Sequence, residues 1–376
     1  MTSPNAKLFN PFTFKNGIVI KNRITMAPMT TWASNDDYTI SDEEVKHYHA
    51  RADGPGLVIT GCSRVMANGI GFSHEFASYD DAFLPGLKRL ASAAKSGGAS
   101  AILQIYHAGN KAVSALIPDG DLVSASAIGV EASAFVTNNI IPRALTNKEI
   151  IDIVKAFGAA TKRAIEAGFD GVELHGAHGF LLQNFFSPIY NQRDDNWGGS
   201  PVKRMHFPLA VVNEVKKVIR EFAIRPFLLG YRISPEESEP QSYKVGDTYP
   251  LIDQLIESGI DYLHISLSNV LEARQIGVAE GKTLAGHVID HVNGRIPVMA
   301  AGQIKTPDDA VKALDIGLSF TAIGQAFIIN PNWVELVANG ERVEESLSLS
   351  KAPGLAIPAK LLTVINAMKG WFSVSI

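Results

Sequence analysis

Two histidines three positions apart are the residues of this sequence whose type and spacing first suggest chemistry. His175 and His178 lie in Glu-Leu-His-Gly-Ala-His-Gly-Phe, residues 173–180. Such a pair can donate hydrogen bonds to a substrate oxygen that gains negative charge, or can bind zinc. Zinc needs a third protein ligand, and none stands at a recognisable spacing, so we expect no metal. A histidine satisfied within the core remains the alternative, more for His178 than for His175.

Three other polar residues interrupt or end apolar runs. Arg232 would bring a permanent cation into buried surroundings, where an anionic ligand or an ion pair with Glu173 or Asp170 should meet it. Gln104 needs partners for its donor and its acceptor, which the edge of a heterocycle would supply. Thr30 offers a hydroxyl either to a cofactor carbonyl or to a turn of the chain.

Two segments end in small residues. Met-Ala-Ala-Gly covers 299–302 and Ala-Ile-Gly-Gln covers 322–325. Backbone amides next to Gly302 and Gly324 can approach a phosphate closely, although small residues also permit tight packing of helices on strands. We favour the phosphate site, which predicts a phosphate-bearing ligand.

Eight apolar runs rich in β-branched residues, each followed by a segment with helical periodicity, must position these residues. The alternation predicts an α/β protein of the (β/α)8 barrel class, in which chemistry lies at the carboxyl ends of the strands. An open doubly wound sheet would carry Gly-x-Gly-x-x-Gly after its first strand, and no such motif follows Met29. The predicted strands are Arg23–Met29, Gly56–Thr60, Ala101–Tyr106, Gly171–His175, Pro226–Ile233, Tyr262–Ser266, Pro297–Ala301 and Phe320–Gly324.

Capping signals predict where the helices begin. Ser41 precedes three acidic residues, and Thr146 stands three residues before Glu149 in a capping-box spacing that opens a helix ending at Gly168. Similar signals predict helices that begin at Leu84, Pro201, Thr248, Thr283 and Thr306.

The composition excludes several classes of protein. The 376 residues, 46% of them hydrophobic, suffice for a large core, and the net charge of −4 argues against binding to nucleic acid or to anionic membranes. Cys62 is the single cysteine, which excludes an internal disulfide and a cysteine-ligated iron–sulfur cluster. No segment has the roughly 20 apolar residues that span a bilayer. We therefore expect a soluble cytoplasmic protein.

Taken in order, several motifs resemble those of the old yellow enzyme family of FMN-dependent ene-reductases and NAD(P)H:flavin oxidoreductases. They are Leu-Phe-Asn-Pro at 8–11, Lys-Asn-Arg-Ile-Thr-Met-Ala-Pro-Met-Thr at 21–30, His-Gly-Ala-His-Gly at 175–179 and Asn-Gln-Arg-Asp-Asp-Asn-Trp-Gly-Gly-Ser at 191–200. The resemblance runs from about residue 8 to about residue 335.

The resemblance implies FMN as cofactor, NADH or NADPH as hydride donor and a small-molecule acceptor. His175 and His178 would hold and polarise the acceptor oxygen, and Thr30 would tune the flavin potential. The residues that would contact FMN are Pro28, Thr30, Gly61, Gln104, Arg232, Gly302, Gly324 and Gln325.

The sequence also departs from the family pattern. Phe180 replaces the usual tyrosine that donates a proton, and Tyr190, Tyr106, Tyr231 or water are conceivable substitutes. Gln325 replaces the usual arginine after the last-strand glycine, which predicts weaker FMN binding. Asn110 likewise stands in place of an arginine, and Trp32 adds a large aromatic ring beside Thr30.

The leading hypothesis is hydride transfer from NAD(P)H through flavin to an α,β-unsaturated carbonyl, a nitro compound, a quinone or free flavin. A flavin-dependent dehydrogenase or demethylase and a flavin-free phosphate-binding barrel are the alternatives. We expect one domain over 1–376 with 331–376 as a C-terminal extension, whose apolar end should pack on its own barrel, and a homodimer stays open.

Overall fold

The computed structural model describes residues 4–131 and 140–375, and eight parallel strands form its centre. They run in the order β2-β1-β8-β7-β6-β5-β4-β3, and β2 also pairs with β3, so the sheet closes on itself. The predicted (β/α)8 barrel is thereby confirmed. The strands are β1 Ile24–Met26, β2 Leu57–Ile59, β3 Ser100–Tyr106, β4 Gly171–Gly176, β5 Leu228–Ile233, β6 Tyr262–Ser266, β7 Val298–Ala301 and β8 Phe320–Ile323.

Helices cover the outside of the barrel and begin where the capping residues predict. The Ser41 hydroxyl accepts from the Glu44 N–H at 3.0 Å, and the capping box of Thr146 and Glu149 is formed. The helix predicted at Pro201 differs, because it is a single turn and a second helix begins at His206. The helices are α1 Asp42–His49, α2 Leu84–Lys95, α3 Asn147–Ala167, α4 Leu181–Phe186, α5 Pro201–Arg204, α6 His206–Phe222, α7 Tyr249–Glu257, α8 Leu284–Val292, α9 Pro307–Asp315, α10 Gln325–Ile329, α11 Trp333–Asn339 and α12 Ala359–Ala367.

An antiparallel hairpin closes the amino end of the barrel. Its strands are Phe12–Thr13 and Val19–Ile20, and the Phe14 ring stacks on Phe320 with 5.7 Å between centroids. Burial of these apolar side chains seals this end, so the opposite end, where the strands finish, is the one left open to a ligand.

The C-terminal residues pack against their own barrel, as expected for an apolar end. Leu361 and Phe372 are buried in one cluster with Trp32, and a short parallel pair joins Leu347–Ser348 to Val374–Ser375. The domain limits drawn from the sequence stay a prediction. None of the helices formed by residues 4–131 and 140–375 has both the length and the apolar character that crossing a membrane requires.

Candidate active site

A cavity of about 1120 Å³ opens at the carboxyl ends of the strands, where the predicted site residues converge. This volume exceeds what a single small ligand needs. Gly61 lies outside its lining, because the Gly61 N–H donates to the Tyr48 hydroxyl at 2.7 Å behind the wall. The predicted residues that do line the cavity are Pro28, Thr30, Gln104, His175, His178, Arg232, Gly302, Gly324 and Gln325.

Strands carry the floor of the cavity, which we define as the lining residues Gln104 and Arg232 together with Glu173 and His264, which are fully buried behind them. Strand register sets Gln104 beside Glu173 and Arg232 beside His264. The Gln104 amide donates to Glu173 Oε1 at 2.7 Å, and His264 Nδ1 lies 3.0 Å from Glu173 Oε2. Burial opposes ionisation of Glu173, yet His264 and Arg232 hold its pKa below the ordinary value. One N–H of Gln104 therefore has a protein partner, and its second N–H and its amide oxygen stay available to the edge of a heterocycle, so that expectation stays a prediction.

Arg232 is the cation of the floor and is only 6% exposed. Its Nη2 donates to Ser266 Oγ at 3.1 Å, while its buried Nε has no hydrogen-bond partner among the described residues. Neither predicted carboxylate lies within 4 Å of it: Asp170 pairs with Lys95 and Arg225 instead. Burial lowers the pKa of Arg232, and the charge of Glu173 opposes the shift. A guanidinium held this way is available to an acceptor atom in the cavity.

The two histidines stand at the end of β4 and in the turn after it. The Ala177 N–H donates to His175 Nδ1 at 3.3 Å, which puts the proton of a neutral ring on Nε2. His178 Nε2 lies 2.6 Å from Ser266 Oγ, and its backbone has a φ of 61°, a strained left-handed conformation for this residue. His175 is buried and His178 is exposed, the reverse of the order expected from the sequence. Loss of solvation, with the charges of Arg232 and Lys111 added to it, lowers the pKa of both rings well below 6.5, so both are neutral at physiological pH.

The segment after β1 forms one side wall. Thr30 Oγ1 lies 3.5 Å from Cys62 Sγ, and both residues line the cavity. Burial raises the pKa of Cys62 to about 12, so its thiol stays protonated. Trp32, also in the lining, packs edge-on against Phe72 at 5.5 Å and against Trp371 at 5.9 Å. The large ring beside Thr30 thus joins the C-terminal segment to the cavity.

The glycine-rich end of the cavity contains a cation that was not predicted from the sequence, Lys305. Gly302 has a φ of 153°, and a Cβ there would meet the Leu267 carbonyl oxygen at 2.3 Å, so only glycine fits. Gln325 donates its amide to the Trp371 carbonyl at 2.5 Å and is thus tied to the C-terminal segment. Lys305 lines the same end, and no carboxylate of the described residues lies within 4 Å of its Nζ. Lys305 lies four residues after Ala301 in the loop between β7 and α9, where no hydrophobic periodicity indicates the direction of a side chain.

The rim of the cavity, which we define as Lys111, Tyr190, Glu237, Lys305 and Trp371, comes from loops and from the C-terminal segment. Glu237 is 5% exposed and accepts from Gln183 at 2.8 Å and from Ser187 at 2.6 Å. Lys111 and Glu237 were not predicted as site residues, because neither ends an apolar run.

Asn110, the other residue in place of a family arginine, is buried outside the lining. Neither polar atom of its side chain has a hydrogen-bond partner among the described residues.

Comparison with known proteins gives consistent matches over nearly the whole chain. The model of the NADH:flavin oxidoreductase / NADH oxidase family matches residues 7–344. The probable NADH-dependent flavin oxidoreductase YqiG of Bacillus subtilis (strain 168) is 43% identical over 97% of each chain. NADH:fumarate oxidoreductase of Klebsiella pneumoniae (strain 342) is 38% identical over 98% of this chain, which spans 40% of that protein. The solved structure of morphinone reductase superposes with a TM-score of 0.77 at 26% identity and covers 93% of this chain and 92% of its own.

Proposed function

Because the chain belongs to the NADH:flavin oxidoreductase / NADH oxidase family, and is thus an FMN-dependent oxidoreductase of old yellow enzyme type, we propose that it passes hydride from NADH through FMN to an electron-poor alkene conjugated to a carbonyl group. The observation that carries the proposal is a pair of neutral histidines in the same cavity as Arg232, whose Nε has no hydrogen-bond partner among the described residues. A phosphate-binding barrel without flavin would have no use for this combination.

The residues present fit FMN. The free Nε of Arg232 would meet the ring edge that becomes negative on reduction, and the remaining amide atoms of Gln104 would pair with the pyrimidine edge. Gly302, Gly324 and the ammonium of Lys305 would hold the phosphate. When bound, the flavin accepts hydride from the nicotinamide and delivers it to the acceptor.

The histidines would bind and orient the acceptor. His175 presents Nε2–H, because Nδ1 accepts from the Ala177 amide. Ser266 accepts from Arg232, so its own hydroxyl proton is free for His178 Nε2, which leaves Nδ1–H of His178 as the second donor. Two donors aimed at one carbonyl oxygen would stabilise the charge that develops there and would make the β-carbon more electrophilic.

Anaerobic stopped-flow absorbance tests the proposal. The FMN-loaded protein is mixed first with NADH and then with 2-cyclohexenone. We expect the bound-flavin absorbance to bleach with NADH and to recover with the enone. If NADH bleaches the flavin and no conjugated alkene restores its absorbance, whereas quinones, nitro compounds or free flavin do, then the alkene is not the acceptor. The protein would then be a reductase for those other acceptors. A protein that binds no FMN would refute the whole proposal.

A further inference from the structure

Reduction of a conjugated alkene requires a proton as well as a hydride, and position 180 offers none. Phe180 packs edge-on against His175 and against Tyr106, with 4.9 Å between ring centroids in both contacts. A benzyl side chain has no exchangeable proton, so another group must protonate the α-carbon.

The tyrosines considered as substitutes do not meet this need. Tyr106 and Tyr231 are fully buried outside the cavity lining, and the Tyr106 hydroxyl donates to the Glu75 carboxylate. Tyr190 does line the cavity, but its hydroxyl donates to Glu239 Oε1 at 3.0 Å, and burial raises its pKa further above 10. Its proton is therefore committed to a carboxylate.

Lys111 lines the cavity together with Phe180 and the two histidines. It ends the short turn Gly109–Lys111 after β3, and its Nζ donates to the His178 carbonyl oxygen at 2.6 Å. Its side chain runs along Gly179, where a Cβ would meet Nζ at 2.6 Å. Gly179 immediately precedes Phe180, so the ammonium approaches the residue next to position 180, and Lys111, Phe180 and both histidines line the same cavity.

The charge environment of Lys111 suits a proton donor. No carboxylate of the described residues lies within 4 Å of Nζ, and the hydrogen bond to the carbonyl uses one of its three N–H groups. Burial lowers the pKa of Lys111, while the more distant Glu239 and Glu237 oppose that shift. An ammonium that is partly removed from water is a stronger acid than an exposed one.

We propose that Lys111 is the catalytic acid that donates a proton to the α-carbon of the alkene. The inference rests on the proposed alkene reduction. In this step an N–H bond of Lys111 breaks and a C–H bond forms at the α-carbon, while the hydride supplied from NADH forms the C–H bond at the β-carbon. The neutral amine that remains regains a proton from water at the open mouth of the cavity.

The test separates the two half-reactions of Lys111→Met. Reduction by NADH should stay within about twofold of wild type, whereas reoxidation by 2-cyclohexenone should slow by about 10²- to 10⁴-fold, the usual contribution of a general acid. Reoxidation by benzoquinone needs no carbon protonation and should be unchanged. The matched control is Lys217→Met, an exposed lysine of α6, which should behave as wild type throughout.

Two further readouts distinguish catalysis from positioning. A lysine that only anchors the turn of His178 would, when removed, slow enone and quinone alike, and that result would overturn the proposal, as would an unchanged enone rate. In the double variant Lys111→Met with Phe180→Tyr, the tyrosine should restore the enone rate, and failure of the rescue would count against a proton-transfer role.

The pH dependence is the second readout. The wild-type enone rate should fall at alkaline pH, and this alkaline decrease should be absent in Lys111→Met. If wild type itself reduces no conjugated alkene while NADH bleaches it, then the proposed function has failed and the inference falls with it.

Discussion

The floor and the rim of the cavity are built by different means. Floor residues extend from β3, β4, β5 and β6, where the register of the barrel ladder fixes their neighbours. Rim residues come from loops and from the C-terminal segment, and their positions depend on side-chain contacts such as the bond from Gln325 to the Trp371 carbonyl. A side chain on a closed ladder has few alternative positions, so we expect the floor to hold the flavin ring, while the loops of the rim contact the phosphate and the acceptor.

Arg232→Met should have the largest effect, because it removes the cation of the floor. Glu173 would stay buried beside His264 and Gln104 without the nearby guanidinium, and loss of one member of a buried charge network costs about 3–5 kcal/mol. FMN affinity, measured by fluorescence quenching, should fall by two orders of magnitude or more. The control is Arg225→Met at the amino end of the barrel, where Lys95 still pairs with Asp170. Equal FMN affinity in Arg232→Met and wild type would contradict the assigned role.

Glu44→Gln tests how the stability of the protein depends on pH, and it contrasts two buried carboxyl groups, those of Glu44 and Glu173. Glu173 on the floor stays ionised near Arg232. The carboxyl group of Glu44 in α1 accepts from the Thr31 hydroxyl at 2.6 Å, its other oxygen has no hydrogen-bond partner in the described part of the chain, and burial raises its pKa to about 7. Between pH 4.5 and 7 the native state then holds a proton that the unfolded state has lost. The contribution of Glu44 is therefore complete below pH 4.5 and decreases as pH rises through 7, by about 3 kcal/mol in total.

Urea unfolding at pH 5, 6, 7 and 8 measures this difference. Glu75 is also buried with a pKa raised to about 7, so Glu44→Gln should reduce the decline in stability over that range and leave the part that Glu75 contributes. Glu173→Gln should leave the contribution of Glu44 in place. An identical pH slope in wild type and Glu44→Gln would show that Glu44 is already ionised in the folded protein.

The same division explains what the sequence could predict. Strand residues such as Gln104 and Arg232 interrupt apolar runs, and the barrel rule sends strand ends to one mouth, so their convergence followed from the sequence. The bond from Gln104 to Glu173 required the register between β3 and β4, which no single sequence contains. Lys111 and Lys305 follow no periodic pattern, and only the course of their loops brings their ammonium groups into the cavity. Trp371 lies 46 positions from Gln325, a separation that composition and periodicity cannot bridge.

Lys305→Met tests whether the rim supplies the phosphate contact that Gln325 cannot make with a charge. A hydrogen bond to a charged group contributes about 1.5–3 kcal/mol, so FMN should bind roughly 10- to 100-fold more weakly. Riboflavin, which has no phosphate, is the matched control ligand and should bind both proteins equally. An equal loss for the two ligands would assign Lys305 to the ring or to the fold instead.

Trp371→Ala should have the smallest effect, because it removes a rim contact and leaves the floor intact. The Trp371 ring packs edge-on against Trp32, and such an aromatic pair contributes about 0.5–1.5 kcal/mol beyond its buried area. We expect FMN dissociation, followed by the rise of free-flavin fluorescence after dilution, to accelerate by less than about tenfold. Trp371→Phe keeps an aromatic ring and should restore most of the difference, while Phe222→Ala on the surface of α6 should change nothing. A loss as large as that of Arg232→Met would mean that the C-terminal segment, and not the strand ladder alone, determines cofactor affinity, and the distinction between floor and rim would fail.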